Sequence, residues 1–272
     1  MKRVLFHYPI LNVGGAEKSS LRMIKALCDR GWNVTLVVTT GGGALEREVD
    51  PRVRFMRLRP RPYGRRFAAA RGITAKLRAL PDLVGYGAMR LIGGLRMLPF
   101  LFQRYDAGVI LSIGLPTFFL RRFIRSNVRL HWIRNDFGGN LPNRDKAIKE
   151  IREHESVFDH YICVSEVTRR SLVKAIPEIT PKAEVVYNIF DAQAMRQAAD
   201  GLPTPFPDSS AIKVLSVCRL KDRAKGLFRM VRLCRRLLDN GHDLVWYIIG
   251  NGPDHDKLVQ AIADADLQDR MI

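Results

Sequence analysis

Apolar positions change between two spacings along the first part of the chain. Residues 4–6 form a short apolar run that is followed by a loop containing glycines, and residues 17–30 then carry apolar side chains at helical spacing. Residues 34–39 are β-branched and almost continuously apolar, which is typical of a strand buried on both faces of a parallel sheet. The pattern predicts a strand–helix–strand unit.

The same alternation continues to about residue 188, stops, and then begins again. Further strands of the first series are predicted at residues 53–58, 108–112, 128–133, 161–165 and 184–187. Residues 201–211 are rich in proline, as linkers are. A second series follows, with strands predicted at residues 212–218 and 244–249 and a helix after each of them.

This organisation predicts an α/β fold built from two Rossmann-like parts. Residues 1–200 would form one complete doubly wound domain with an insert at residues 52–104, and residues 201–211 would be a linker. Residues 212–272 would form the start of a second Rossmann-like domain. Because two strands are about half or less of what such a sheet domain uses, we expect this second domain to be incomplete.

The insert differs from the rest of the chain in its high density of positive charge. The chain has 45 Lys and Arg against 27 Asp and Glu, a net charge of +18. Residues 52–104 hold 13 of these cations and a single acid, Asp82. The insert could be a solvated helical face, a surface that binds an anionic membrane, or a nucleic-acid-binding segment. It has no nucleic-acid-binding motif and few aromatic residues, so we expect no nucleic acid partner.

Residues 83–102 are apolar, but Arg90, Arg96 and several glycines interrupt them. A span across the membrane is therefore not predicted. Among the functional interpretations we favour a helix that lies on an anionic membrane, with Arg90 and Arg96 reaching the headgroups. No apolar segment of signal-peptide length follows Met1, and the four cysteines form no C-x-x-C pair. We expect reduced thiols and a cytoplasmic protein that is peripheral on the inner face of the cell membrane.

Candidate ligand-binding residues follow the predicted strands. Gly14 and Gly15 lie between the first strand and the first helix, where glycines allow close backbone approach and helix N–H groups favour an anion. The dinucleotide fingerprint G-x-G-x-x-G is absent, which argues against a nicotinamide or flavin enzyme. Arg219 and Lys225 converge on one helix N-terminus, an arrangement that suits a diphosphate without a metal.

Other chemistries have no motif in this sequence. The six histidines form no H-E-x-x-H pair, and neither a G-x-S-x-G elbow nor a P-loop occurs. We therefore predict no metal site and no acyl transfer.

Five motifs, taken together, resemble one family. The sequence is similar to glycosyltransferase family 4, the retaining GT-B enzymes, of the type that builds bacterial surface polysaccharides. The resemblance rests on Gly14-Gly15-Ala16-Glu17, Val164-Ser165-Glu166, Tyr187-Asn188-Ile189-Phe190-Asp191, the segment from Arg219 to Gly226, and Gly250-Asn251-Gly252-Pro253. It implies a GT-B fold and transfer of a sugar from a nucleotide diphosphate-sugar donor to a glycan or lipid-linked acceptor hydroxyl, with retention and without a metal or other cofactor.

The resemblance also implies roles for particular residues. Arg219 and Lys225 would be catalytic, holding the donor diphosphate and stabilising its departing charge. Gly14 and Gly15 would face the cleft from the acceptor-side domain, and Arg134 stands where similar enzymes often carry a histidine near the transferred sugar. Because arginine cannot act as a neutral base, its contact would be electrostatic. The remaining binding residues would be Asn188, Gly250 and Gly252.

The sequence departs from the family at one motif. Family members carry two glutamates eight residues apart that contact the donor sugar and the ribose, and no glutamate of this chain has an acid eight positions on. We therefore expect a C-terminally truncated family member that is inactive as this chain. The alternative is a non-catalytic remnant whose first domain binds an anionic membrane or a lipid-linked acceptor.

Overall fold

A computed structural model describes residues 1–60, 65–112, 124–138, 141 and 143–272. The chain divides into two compact units, Met1–Ala194 and Met195–Ile272. The division falls inside a helix, and residues 201–211 contain neither helix nor strand. That residues 201–211 act as a domain linker stays a prediction.

Unit 1, Met1–Ala194, is built on a seven-stranded sheet with the order β3-β2-β1-β4-β5-β6-β7. All six strand pairs are parallel. The strands are β1 Arg3–Tyr8, β2 Asn33–Thr40, β3 Arg54–Arg59, β4 Arg104–Ile110, β5 Arg125–Ile133, β6 His160–Cys163 and β7 Ala183–Val185. The predicted α/β class with a doubly wound parallel sheet is confirmed.

Helices and short 3-10 turns connect these strands. The helices in the described part of unit 1 are α1 Gly15–Asp29, α2 Arg65–Ala69, α3 Ile73–Arg78, α4 Leu80–Met97, α5 Arg144–Glu153 and α6 Glu166–Ala175, and α7 Ala192–Ala199 crosses into unit 2. The 3-10 turns are Ala44–Glu48, Leu98–Phe102, Glu155–Val157 and Pro177–Lys182. None of the helices in the described ranges is long and apolar enough to cross a membrane.

Two apolar clusters pack against the two faces of the sheet. Alternate residues of β1 show the division: Leu5 belongs to one cluster, and Val4 and Phe6 belong to the other. The cluster around Phe6 includes the buried side of α1, and the cluster around Leu5 includes the buried sides of α5 and α6. Burial on both faces explains why the central strands are continuously apolar.

Helix α4 lies against β3, the outer strand of the sheet. Gly93 allows this approach, because a Cβ at this position would lie 3.2 Å from the carbonyl oxygen of Leu58. The guanidinium of Arg96 donates a hydrogen bond of 2.9 Å to the carbonyl oxygen of Arg57. Arg96 therefore fastens α4 to the sheet, whereas the sequence had suggested that it reaches towards lipid headgroups.

Unit 2, Met195–Ile272, contains a smaller parallel pair. Strands β8 Ile212–Val217 and β9 Leu244–Ile249 alternate with α8 Asp222–Lys225, α9 Leu227–Asp239 and α10 His255–Asp264. The last residues extend this sheet, since Trp246 forms a parallel bridge with Met271. One face packs on the helices through Leu227, Cys234 and Leu258.

Candidate functional site

In each unit the sequence-predicted site residues lie at the carboxyl ends of parallel strands. This edge is where open α/β sheets bind ligands, because loops and helix N-termini converge there. In unit 1 the relevant segments follow β1, β5 and β7. In unit 2 they follow β8 and β9.

In unit 1 a hydrogen-bonded group of side chains, which we call the Arg134 cluster, joins three loops. Arg134 donates from Nη1 to Oδ1 of Asn188 over 3.1 Å and from Nη2 to Oγ of Ser20 over 2.9 Å. Ser19 donates to the same Asn188 oxygen over 2.7 Å, and Ser20 donates to the carbonyl oxygen of Ala16. Arg134 thus links the segment after β5, the segment after β7 and the start of α1.

The cluster is charged and partly withdrawn from water. Tyr8, at the end of β1, is buried, and its pKa is raised to about 12 by that burial and by the charge of Glu17, which also accepts its hydrogen bond. Burial lowers the pKa of Arg134, while Tyr8 and Glu17 oppose that shift. An arginine remains protonated under these conditions, so the cluster presents a fixed cation beside one carboxylate.

Gly14 and Gly15 begin α1 and differ in their surroundings. A Cβ at Gly14 would meet the carboxylate of Glu17, whereas a Cβ at Gly15 would have no heavy atom within 4 Å. Gly15 is exposed at the first turn of a 15-residue helix. Open space beside it is what a backbone that approaches a ligand requires.

In unit 2 the two predicted catalytic cations flank one short helix. Arg219 lies in the loop after β8, and Lys225 is the last residue of α8; both are exposed. Gly226 follows in the left-handed conformation, with φ of 68°, and is the N-terminal cap of α9. Lys225 therefore lies next to the start of a 13-residue helix, where the backbone favours an anion.

Gly250 and Gly252 contact protein backbone. A Cβ at Gly250 would lie 1.9 Å from the carbonyl oxygen of Cys218, and one at Gly252 would lie 2.2 Å from that of Leu220. The backbone of Leu220 also donates to the carbonyl oxygen of Asn251 over 3.0 Å. These glycines let the turn after β9 lie directly against the loop that carries Arg219.

Two aspartates complete the bracing of that loop. Asp254 accepts a hydrogen bond of 2.8 Å from the backbone of Asp222. Asp222 in turn accepts one of 3.0 Å from the backbone of Phe228, in the first turn of α9. The loop between β8 and α9 is thus held from both sides, which fixes the positions of its backbone amides.

The sequence did not identify Tyr8, Ser19, Ser20, Asp222 or Asp254 as members of these sites. A serine pair inside a helix and an aspartate before one are common, so spacing alone gives no signal for them. His131 is buried in β5 beside the rings of Phe158 and Tyr161. Within the described ranges, no group of three or more His, Cys, Asp or Glu side chains is placed to hold a metal ion.

Comparisons with known proteins identify the class and then the family. Over its whole length the chain is similar to solved GT-B glycosyltransferases. HepE of Anabaena in complex with UDP and glucose matches with a TM-score of 0.61 at 14% identity, over 68% of the HepE chain. TarM of S. aureus, solved with fondaparinux, alpha-GlcNAc-glycerol and UDP, matches with a TM-score of 0.66 at 12% identity, over 77% of its chain. The lipopolysaccharide outer core galactosyltransferase WaaB matches with a TM-score of 0.59 at 14% identity, over 67% of its chain.

The family model of Glycosyltransferase Family 4 matches residues 13–194. The chain belongs to this family. No curated protein matches the sequence.

Proposed function

We propose that this glycosyltransferase moves a sugar from a nucleotide diphosphate-sugar to an acceptor hydroxyl with retention of the anomeric configuration. The observation that carries the proposal is the family match across residues 13–194, which includes the Gly14-Gly15 turn, Arg134 and Asn188. Two similar structures, HepE and TarM, contain UDP. This supports a nucleotide-sugar donor for the present chain.

Arg219 and Lys225 are the proposed donor-side catalytic residues. Departure of a nucleoside diphosphate leaves negative charge on the terminal phosphate, and fixed cations stabilise that charge in the transition state. Both side chains are exposed on a loop that Gly250, Gly252 and the two aspartates brace. The charge of these two residues replaces that of a metal, so the proposed reaction uses no cofactor.

On the acceptor side we propose that Gly14, Gly15, Arg134 and Asn188 contribute the binding surface. Arg134 would act through its charge and by holding Asn188, since its guanidinium already contacts that side chain. The acceptor would be a glycan or a lipid-linked glycan: TarM was solved with alpha-GlcNAc-glycerol, and WaaB is a lipopolysaccharide outer core galactosyltransferase. The basic insert supports placement on the inner face of the cell membrane, against anionic lipid.

Calorimetry with UDP and GDP tests the donor site. Replacing both Arg219 and Lys225 with Ala should weaken binding at least about 100-fold, since each charge-assisted hydrogen bond is worth about 1.5–3 kcal/mol. The double variant Lys213→Ala, Arg232→Ala is the control, because it removes two exposed cations of the same unit from other positions. Equal affinity of the Arg219/Lys225 variant and the parent chain would remove these residues from the site.

A second candidate is a non-catalytic protein that binds the acceptor or the membrane. The basic insert favours this candidate, since residues 52–104 hold 13 Lys and Arg and one acid. The two glutamates eight residues apart that contact the donor sugar in the family do not occur within residues 1–272. Without such contacts a donor sugar would be poorly held, and misplacement by about 1 Å can cost on the order of 100-fold in rate.

We therefore expect this chain, assayed alone, to bind nucleotide without sustained turnover. Release of nucleotide from a panel of sugar nucleotides with lipid-linked and oligosaccharide acceptors is the measurement, and sustained release would exclude the non-catalytic candidate.

A further inference from the structure

One side of α4 is an exposed apolar stripe. Leu80, Val84, Leu91 and Leu95, together with Leu98 directly after the helix, follow one another at spacings of three, four and seven residues, which places them on the same side. Their exposed fractions are 45%, 65%, 69%, 56% and 44%. Soluble proteins rarely leave so long a line of large apolar side chains in water without a partner.

The opposite side of α4 is already occupied by the sheet. Gly93 is buried against β3, Met97 packs on the apolar cluster around Leu5, and Arg96 bonds to the carbonyl oxygen of Arg57. The helix therefore cannot rotate to bury the stripe without giving up these contacts. The stripe is a fixed feature of the surface of unit 1.

Cations accompany the stripe at its N-terminal end. In α3 and the loop before it, Arg71, Lys76 and Arg78 are exposed, and their side chains form no ion pair or hydrogen bond with any described residue. The same segment exposes Ile73 and Leu77, at 80% and 63%. Cationic and apolar side chains thus share one surface.

Among the described residues, no carboxylate pairs with Arg71, Lys76 or Arg78. Asp82 is the single acid among residues 52–104, and its carboxylate accepts hydrogen bonds from the backbone of Arg66 and Phe67. Two other cations of the insert pair with acids outside it: Arg52 with Asp50, and Arg57 with Glu46. Unpaired positive charge therefore remains on α3 and on the loop before it, beside the stripe.

We infer that the stripe of α4 inserts into the headgroup–acyl boundary of an anionic membrane, and that Arg71, Lys76 and Arg78 bind the acidic headgroups beside it. This inference rests on the peripheral attachment proposed above and adds which side chains enter the lipid. Its basis is complementarity: uncompensated cations next to large apolar side chains match an acidic lipid surface, which offers both phosphate and hydrocarbon. A helix of 18 residues is about 27 Å long, and because the stripe runs along this length, α4 would lie in the plane of the interface.

Vesicle partitioning of the full chain tests this inference. With vesicles of phosphatidylcholine and phosphatidylglycerol, the triple variant Val84→Ser, Leu91→Ser, Leu95→Ser should partition at least about 10-fold more weakly than the parent chain. The matched control is Val167→Ser, Leu202→Ser, Val259→Ser, which removes apolar side chains of similar exposure, 66%, 69% and 54%, from other surfaces. The control variant should partition like the parent chain.

Insertion has a second, spectroscopic readout. A Leu91→Trp variant should shift its fluorescence to shorter wavelength when anionic vesicles are added, whereas Val167→Trp should not. Replacing Arg71, Lys76 and Arg78 with Gln should weaken partitioning and its dependence on salt without abolishing the shift at saturating lipid. Circular dichroism of each variant confirms that the fold is retained, which is expected for exposed positions.

Four results would overturn the inference. They are equal partitioning of the triple-Ser variant and the parent chain, no shift for Leu91→Trp, equal binding to neutral and anionic vesicles, and a parent chain that self-associates through the stripe in ultracentrifugation without binding vesicles. None of these results bears on the binding of UDP or GDP, so the donor-site proposal is tested separately.

Discussion

At the scale of single residues, the four glycines of the predicted site have different physical roles. The sequence placed Gly14, Gly15, Gly250 and Gly252 in the same category, because each follows a strand near a helix. The structure separates them by what a side chain would meet: open space at Gly15, a flexible carboxylate at Gly14, and backbone carbonyls at Gly250 and Gly252. A one-letter pattern carries no information on the distance to another segment, so this distinction could not be predicted.

Alanine at Gly250 should therefore destabilise unit 2, whereas alanine at Gly15 should not. The new Cβ at Gly250 must displace the Cys218 carbonyl, and overpacking of this kind costs about 1–3 kcal/mol or more. Gly15→Ala should leave stability unchanged or raise it by about 0.5–1 kcal/mol, because alanine favours the helix. Urea unfolding measures the change in the free energy of unfolding for each variant. Hydrogen exchange shows whether the change belongs to unit 1 or to unit 2. Equal destabilisation by the two substitutions would contradict the assignment.

Arg134 lies directly after β5, at the strand end that the sequence indicated, and its role at a binding site stays a prediction. The motif comparison put an arginine where a histidine is usual, and predicted an electrostatic contact with a ligand. The structure shows two of its nitrogens bonded to Asn188 and Ser20, and these partners are distant in sequence. Side-chain pairing across 54 and 114 residues depends on the folded sheet, which spacing alone does not reveal.

At the scale of elements, strands with continuous apolar runs were predicted most accurately. Residues 34–39 and 244–249 fall within β2 Asn33–Thr40 and β9 Leu244–Ile249. The last strand of unit 1 was less accurate: residues 184–187 were expected, and β7 covers only Ala183–Val185. At the edge of a sheet a strand is paired on one side only, so its extent depends on its neighbour more than on its own composition.

The buried histidines of β1 and β5 should make stability depend on pH. Burial lowers the pKa of His7 to about 3 and that of His131 to about 4, both below the usual 6.5. Below about pH 6.5 the unfolded chain takes up protons that the folded chain does not, so stability is complete above that pH and is lost as pH falls towards 4. His131 alone should contribute a loss of about 2–3 kcal/mol between pH 7 and pH 4.5.

Urea unfolding of His131→Phe across this range measures the contribution, because phenylalanine preserves the ring contacts with Phe158 and Tyr161 and does not titrate. The free energy of unfolding should then fall less steeply with acid than in the parent chain. His242→Gln, at an exposed position, is the control and should leave the slope unchanged. A slope that is identical in all three proteins would show that His131 is not buried in its neutral form.

At the scale of the whole molecule, the hydrophobic pattern and the distribution of charge predicted different features. The alternation of strands and helices predicted the parallel sheet of unit 1 correctly, and the clustered cations marked the insert between β3 and β4 as a local feature. The sequence could not show that α4 packs on the outer strand, because both sides of this helix are apolar: Tyr86, Met89, Ile92 and Met97 lie with the glycines on the covered side, and leucines lie on the exposed side. A helix with two apolar sides has little amphipathic contrast.

By packing against β3, helix α4 also covers the edge of the sheet. An outer strand presents unpaired backbone groups to which the edge of another chain can bind, and here a helix and the Arg96 guanidinium occupy that margin. Removing α4 would therefore have a cost. A chain without this helix would lose an exposed apolar surface, but it would also expose the edge of β3 to pairing with a strand of another chain. The helix that we propose to insert into lipid is the same one that covers the edge of the sheet against pairing with a strand of a neighbouring copy.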